Sequence, residues 1–250
     1  MAGHSKFKNI MYRKGAQDAK RAKLFSKMAR EITVAAKSGI PEAEKNPRLR
    51  NAIISARAEN MPKDRIEKAI QKATGENDET SYEEIRYEGY GPGSVAVIID
   101  VLTDNRNRTA SEIRSAFSKN GGSLGETGSL SFVFNRKGVI KFKIEDCDEN
   151  NFFDYAADAG AEDISSEDDA HVAICKSEEF GNVRDNLSSK IGDPSSAKLE
   201  WVPQNYQQVN QDDAEKIIKF IDVLEDNDDV QNVYTNFEIS DEIMEKIANK

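Results

Sequence analysis

Lys20, Lys23, Lys27, Arg30 and Lys37 recur at spacings of three, four and seven residues. On a helix these positions share an arc of about 100°. A row of cations at that spacing can track phosphates along a duplex or an RNA helix. Leu24, Phe25, Met28, Ile32 and Ala35 fall on the opposite side of the same wheel. One face is therefore expected to be core and the other a solvent-facing cationic strip. Arg21 is the exception, lying near the apolar stripe. Lys6, Lys8, Arg13 and Lys14 extend the cations toward the N-terminus. The candidate nucleic-acid contacts are thus Lys6, Lys8, Arg13, Lys14, Lys20, Arg21, Lys23, Lys27 and Arg30.

A second pair of cations lies inside the chain. Asp104-Asn105-Arg106-Asn107-Arg108-Thr109 joins an apolar strand to a helix. Asn107 or Thr109 could cap that helix. Arg106 and Arg108 stand where the helix dipole would favour acids. Two arginines beside free backbone N–H groups suit an anion such as phosphate. A salt bridge to an acidic neighbour explains them equally well.

The charge distribution favours a polyanion partner. The formal net charge of the 250 residues is −10. Residues 1–75 carry 18 Lys/Arg against 7 Asp/Glu, and residues 76–250 carry 17 against 38. This split suggests a basic module that meets nucleic acid, tied to an acidic body. The alternative is a basic helix packed on the protein's own acidic surface.

Catalysis finds little support. There is no Gly-x-x-x-x-Gly-Lys-Ser/Thr loop and no His-Glu-x-x-His pair. Gly89-Tyr90-Gly91-Pro92-Gly93 lacks the helix and third glycine of a dinucleotide fingerprint and reads as a tight turn. Two histidines and two cysteines leave little material for a metal centre or a nucleophile. His171 lies in an apolar strand and reads as structural or surface; Cys147 and Cys175 have little nearby cationic charge to activate them. The expectation is a cytoplasmic non-enzyme without catalytic residues, metal or cofactor. No apolar run approaches the ~20 residues that cross a bilayer, so no membrane partner is expected. Oligomeric state leaves no mark on the sequence.

Hydrophobic periodicity places these residues on elements. Helices are expected near 14–38, 46–59 and 62–74, the second opened by Asn46-Pro47. Polar, acidic 75–80 reads as a linker. Strands follow at 84–87 and 95–102, the second continuous enough to be central, then a helix at 108–119 and a strand at 130–134. Residues 138–203 read as βαββαβ, the ferredoxin-like order. The tail adds a helix at 212–224, a strand at 230–237 and a helix at 241–248. The fold class is therefore α+β: an N-terminal three-helix bundle followed by two ferredoxin-like α+β domains, one inserted in the other. The domains would be 1–80, then 81–136 plus 204–250, with 137–203 inserted.

A series of motifs runs along the chain: Gly3-His4-Ser5-Lys6, Arg13-Lys14-x-Ala16-Gln17-Asp18-Ala19-Lys20-Arg21 and Asn46-Pro47-Arg48-Leu49-Arg50. Asn60-Met61-Pro62-Lys63, Tyr87-Glu88-Gly89-Tyr90-Gly91-Pro92-Gly93, Thr103–Thr109 and Phe117-Ser118-Lys119-x-Gly121-Gly122-x-Leu124-Gly125 continue it. Taken together, these motifs resemble the YebC/PmpR family. The resemblance covers the whole chain. Phe7 stands where the family has tryptophan, Met11-Tyr12 replaces a basic pair, and Ser94 replaces a glycine with no consequence evident from sequence. The loop 40–45 also differs from the family's glycine-rich version.

The resemblance implies three domains and a cytoplasmic DNA-binding transcriptional regulator. It equally brings in mitochondrial relatives that activate translation, and members that act on ribosomes stalled at proline-rich sequences. The functional expectation is a non-enzymatic DNA-binding transcriptional regulatory protein; the alternative is a ribosome-associated translation factor contacting ribosomal RNA.

Overall fold

The computed structural model describes residues 17–75, 81–166 and 169–248. The described residues begin with three helices, α1 (Gln17–Lys37), α2 (Pro47–Ala58) and α3 (Lys63–Thr74). Asn46 shows why they sit as they do. Its Oδ1 accepts from the Leu49 amide at 3.1 Å, capping α2. Its Nδ2 donates to the carbonyls of Ala35 at 2.7 Å and Ile40 at 3.0 Å, closing the end of α1. A Cβ on Gly39 would meet that amide at 2.8 Å, so a side chain there would push Asn46 off its two carbonyls. Thr33 Oγ1 donates to the Ala69 carbonyl at 2.9 Å and ties α1 to α3.

Two four-stranded sheets follow. The first has the order β3-β1-β2-β9, from β1 (Glu83–Tyr90), β2 (Ala96–Thr103), β3 (Ser123–Leu124) and β9 (Val230–Thr235). β2 pairs antiparallel with both β1 and β9, as its continuous apolar run requires of a central strand. Val97, Ile99 and Val101 face α4 (Arg106–Lys119) and α7 (Gln211–Glu225) in one core. There Phe117 and Phe220 meet edge-to-face with centroids 4.9 Å apart. α8 (Asp241–Ala248) adds Met244 to that core.

The second sheet has the order β5-β6-β4-β7. Its chain order is β4 (Phe134–Lys143), α5 (Glu149–Ala159), β5 (Asp163–Ser166), β6 (Ala170–Lys176), α6 (Phe180–Ile191) and β7 (Ser196–Pro203). This is the ferredoxin-like arrangement, and its core joins Ile140, Phe142, Phe152, Val183 and Leu187. Because β9 returns to the first sheet after β7 is complete, the second α+β layer is an insertion in the first. A two-residue parallel pair, β8 (Gln207–Gln208) with β10 (Phe237–Glu238), closes the tail.

By packing, the described residues of 1–27, 79–135 and 202–250 form one compact unit, and those of 28–78 and 136–201 form another. α1 is divided between them at Lys27.

One expected strand is absent. Residues 130–134 alternate Leu, Ser, Phe, Val, Phe, yet 127–133 form hydrogen-bonded turns and extended pairing starts at Phe134. The cause is Glu88, buried to 2 % exposure on β1. Its Oε1 accepts from the Gly128 amide at 2.9 Å and its Oε2 from the Leu130 amide at 2.8 Å. Those amides are lost to any ladder. Phe132 is left 70 % exposed between buried Leu130 and Phe134.

Candidate nucleic-acid interface

α1 carries its cations differently from the simple wheel. Residues Ile32 to Ala36 are all buried, so the second half of the helix has no solvent strip at that level. Lys23, Lys27 and Arg30 are half-buried, not solvent-facing as the periodicity suggested. A helical wheel describes one helix in isolation; tertiary neighbours decide which side meets water. Lys23 Nζ pairs with Asp226 Oδ1 and also donates to the Asp226 carbonyl at 3.1 Å. Lys27 Nζ donates to the Glu225 carbonyl at 2.6 Å. Both lysines thus cap the C-terminal end of α7, where the helix dipole favours cations. Burial pulls the Lys27 ammonium below its ordinary pKa, against the opposing field of Glu225, Asp228 and Asp226.

Arg21 is exposed, its guanidinium 5.3 Å from the centroid of the Phe25 ring. The side chain of Lys20 and residues Lys6, Lys8, Arg13 and Lys14 lie outside the described residues.

The basic motif Asn46-Pro47-Arg48-Leu49-Arg50 is spent on the fold. Arg48 grips Glu31 through two bonds, Nε to Oε1 at 2.8 Å and Nη2 to Oε2 at 3.0 Å. Arg50 donates to the carbonyls of Ala43 at 3.1 Å and Glu44 at 2.9 Å. Leu49 is fully buried. Asn51 accepts from Arg184 Nη1 at 3.0 Å.

The segment 104–109 is exposed from Asp104 to Arg108 and anchored by buried Thr109 and by Asp229. Asn105, rather than Asn107 or Thr109, caps α4, accepting from the Arg108 amide at 3.1 Å. Both candidate arginines therefore sit inside the first helical turn. Asp229 Oδ2 accepts from Thr109 Oγ1 at 2.6 Å, Arg108 Nη2 at 2.7 Å and Thr103 Oγ1 at 3.0 Å. Arg108 Nη2 also reaches Asp104 Oδ1 at 2.9 Å. Those hydrogen bonds, first to Asp229 and then to Asp104, hold the guanidinium charged well above its ordinary range. The salt-bridge reading thus describes Arg108 as found; Arg108 and Arg106 are both exposed in this turn.

Glycines explain two further motifs. A Cβ on Gly89 would sit 2.5 Å from the Ser123 carbonyl oxygen, and one on Gly122 would sit 2.6 Å from that of Tyr90. The backbones of β1 and the α4–β3 turn touch there, and a side chain would push them apart. Gly93 has φ +65° and the next residue, Ser94, has φ +58°. The family's glycine at that position has a backbone reason that the sequence alone did not reveal.

The family model described as TACO1/YebC protein N-terminal domain matches residues 5–76. The model described as TACO1/YebC second and third domain matches residues 82–237. The chain belongs to the TACO1/YebC family. Among solved structures it is similar to that of a conserved hypothetical protein, Aq1575, from Aquifex aeolicus. The two share 44% identity over 90% of this chain and 93% of the other, with a TM-score of 0.82.

In this TACO1/YebC chain the positive charge of residues 1–75 is concentrated toward the N-terminal end. Residues 1–27 carry 8 Lys/Arg and 1 Asp/Glu, whereas residues 28–75 carry 10 and 6. Most of the excess therefore belongs to the segment ahead of α1 and to its opening turns.

The nucleophile candidates are quiet. His171 is buried, stacks on Phe152 at 4.8 Å, and engages Ser166 Oγ at 2.8 Å and the Cys147 carbonyl at 2.9 Å. Burial raises the Cys147 thiol and pushes Cys175 up to about 11. Among the described residues no group of three or more His, Cys, Asp or Glu could hold a metal ion, and no helix is long and apolar enough to cross a membrane.

Proposed function

We propose that this chain is a non-enzymatic cytoplasmic regulator of gene expression that binds nucleic acid, foremost DNA as a transcriptional regulator. The contacts are assigned to Lys6, Lys8, Arg13, Lys14, Lys20 and Arg21, with Lys23, Lys27 and Arg30 behind them. The observation that carries this reading is the ratio of 8 cations to 1 carboxylate in residues 1–27, ahead of a body in which Arg48, Arg50 and Arg108 are bonded to their own chain. Such a segment neutralises phosphates and releases counterions on binding. The protein is read as three domains, 1–80, 81–136 with 204–250, and 137–203.

A second reading, ribosomal RNA as the target in a translation factor, draws on the same segment and on the family description. Base-reading chemistry is sparse: Asn51 on α2 is taken by Arg184. Fluorescence anisotropy with promoter duplex, scrambled duplex and a ribosomal RNA fragment across a salt series tests both. Transcriptional regulation predicts preference for promoter over scrambled duplex. Equal affinity for the two duplexes, with co-sedimentation on ribosomes through sucrose at moderate salt, would assign the RNA target. Reversing charge at Lys6, Lys8, Arg13 and Lys14 should abolish binding in either case; retained binding sinks the proposal.

A further inference from the structure

The turn after α7 reads Glu225-Asp226-Asn227-Asp228-Asp229, four carboxylates in five residues. Asp229 faces inward, held by Arg108, Thr103 and Thr109. Asn227 braces the outer side, donating to Glu112 Oε2 at 2.7 Å while its Oδ1 accepts from the Asp229 amide at 2.9 Å. The turn is thus fixed from below, and the charges of Glu225, Asp226 and Asp228 act on Lys27 of α1. Lys23 and Lys27 meet there the carboxylate of Asp226 and the carbonyls of Asp226 and Glu225. Carboxylate and carbonyl oxygens held in this way offer a lysine what two adjacent phosphates would offer.

We propose that the acidic turn 225–228 is an autoinhibitory stand-in for the nucleic-acid backbone, occupying Lys23 and Lys27 until a polyanion displaces it. This rests on the nucleic-acid reading above and deepens it by assigning a regulatory contact. The side chains of Lys23 and Asp226 are 41% and 74% exposed. A pair so exposed holds its partners by no more than about fivefold. A phosphate backbone delivered by the rest of the basic segment can outcompete it. The latch therefore sets a threshold: weak or isolated anions leave it closed, and a continuous polyanion opens it.

The test compares wild type with the D226N/D228N variant of the full chain, using a fluorescein-labelled DNA duplex and a labelled single-stranded RNA over a salt series. The variant should bind about twofold to fivefold tighter at moderate salt. Its plot of log K against log salt should steepen by up to two phosphates' worth, roughly −0.9 each for duplex DNA. The carbonyl acceptors survive the substitution, which limits the gain.

D158N/D193N, on two exposed acids of the other unit, controls for the same change in net charge. In a K23Q/K27Q background the D226N/D228N change should leave affinity unaltered. An equal gain in D158N/D193N, or a gain that persists in K23Q/K27Q, overturns the latch. So does a loss of affinity, which would make the turn a positioning device for α1. If neither wild type nor variant binds either probe at low salt, the nucleic-acid reading itself fails. If wild type binds and the variant matches it, only the latch fails.

Discussion

The Glu88 carboxylate accepts from the amide of Leu130 at 2.8 Å, forty-two residues further along the chain. With the parallel bond to Gly128 and the Glu88 carbonyl accepting from Gly125 at 2.8 Å, one buried residue on β1 shapes the whole 125–131 loop. Glu88→Gln keeps one acceptor oxygen and places an NH2 where the other stood. The loss should be about 1–3 kcal/mol. Urea denaturation measures it, and faster hydrogen exchange at the Gly128 and Leu130 amides locates it. Unchanged exchange at both amides would show that the loop holds itself. Phe132→Ser, by contrast, removes an exposed ring and should stay within about 0.5 kcal/mol of wild type.

Ser94→Gly is expected to stabilise. Ser94 is exposed with φ +58°, a conformation that costs an L-residue roughly 1–2 kcal/mol. Glycine adopts it freely but loses about 0.5–1 kcal/mol more entropy on folding. The net gain is up to about 1.5 kcal/mol, visible as a higher urea midpoint at unchanged m-value. A lowered midpoint would contradict the strain argument.

Thr109→Val separates the two roles offered by the 104–109 segment. Valine has the same shape but cannot donate to Asp229 Oδ2, leaving the buried carboxylate short of one bond. A loss of about 1.5–3 kcal/mol follows for a hydrogen bond to a charged group. Thermal and chemical unfolding should both register it, with no change in salt dependence of nucleic-acid binding. A changed salt slope at constant stability would instead place this turn in the interface.

Lys27 makes stability depend on pH in a definite direction. Its folded-state pKa lies below the ordinary value of about 10.4, chiefly through burial. Between the two values the unfolded chain binds more protons than the folded one, so stability rises with pH across that window. Lys27→Met lacks the group. Measured from pH 7 upward, wild type should gain on the variant as pH approaches 10.4. A gap that is flat, or that moves the other way, would mean that the acidic turn outweighs burial.

The sequence by itself determined the element order, the Asn46-Pro47 helix start, the central place of β2 and the insertion of one α+β layer in another. These follow from local rules: apolar period, cap chemistry, and the pairing that a buried strand must satisfy. It also located the charge asymmetry, since counting needs no coordinates. Tertiary structure alone decided which cations are occupied. Lys23 and Lys27 lie about two hundred residues from their acceptors, and no wheel can see across that distance. The same holds for Glu88, whose carboxylate turned an alternating segment into a loop, and for Arg108, held by Asp229 at the start of the neighbouring strand β9. A side chain's period is written in its neighbours along the chain, but the partner of a charge is chosen by whatever the fold brings within 3 Å.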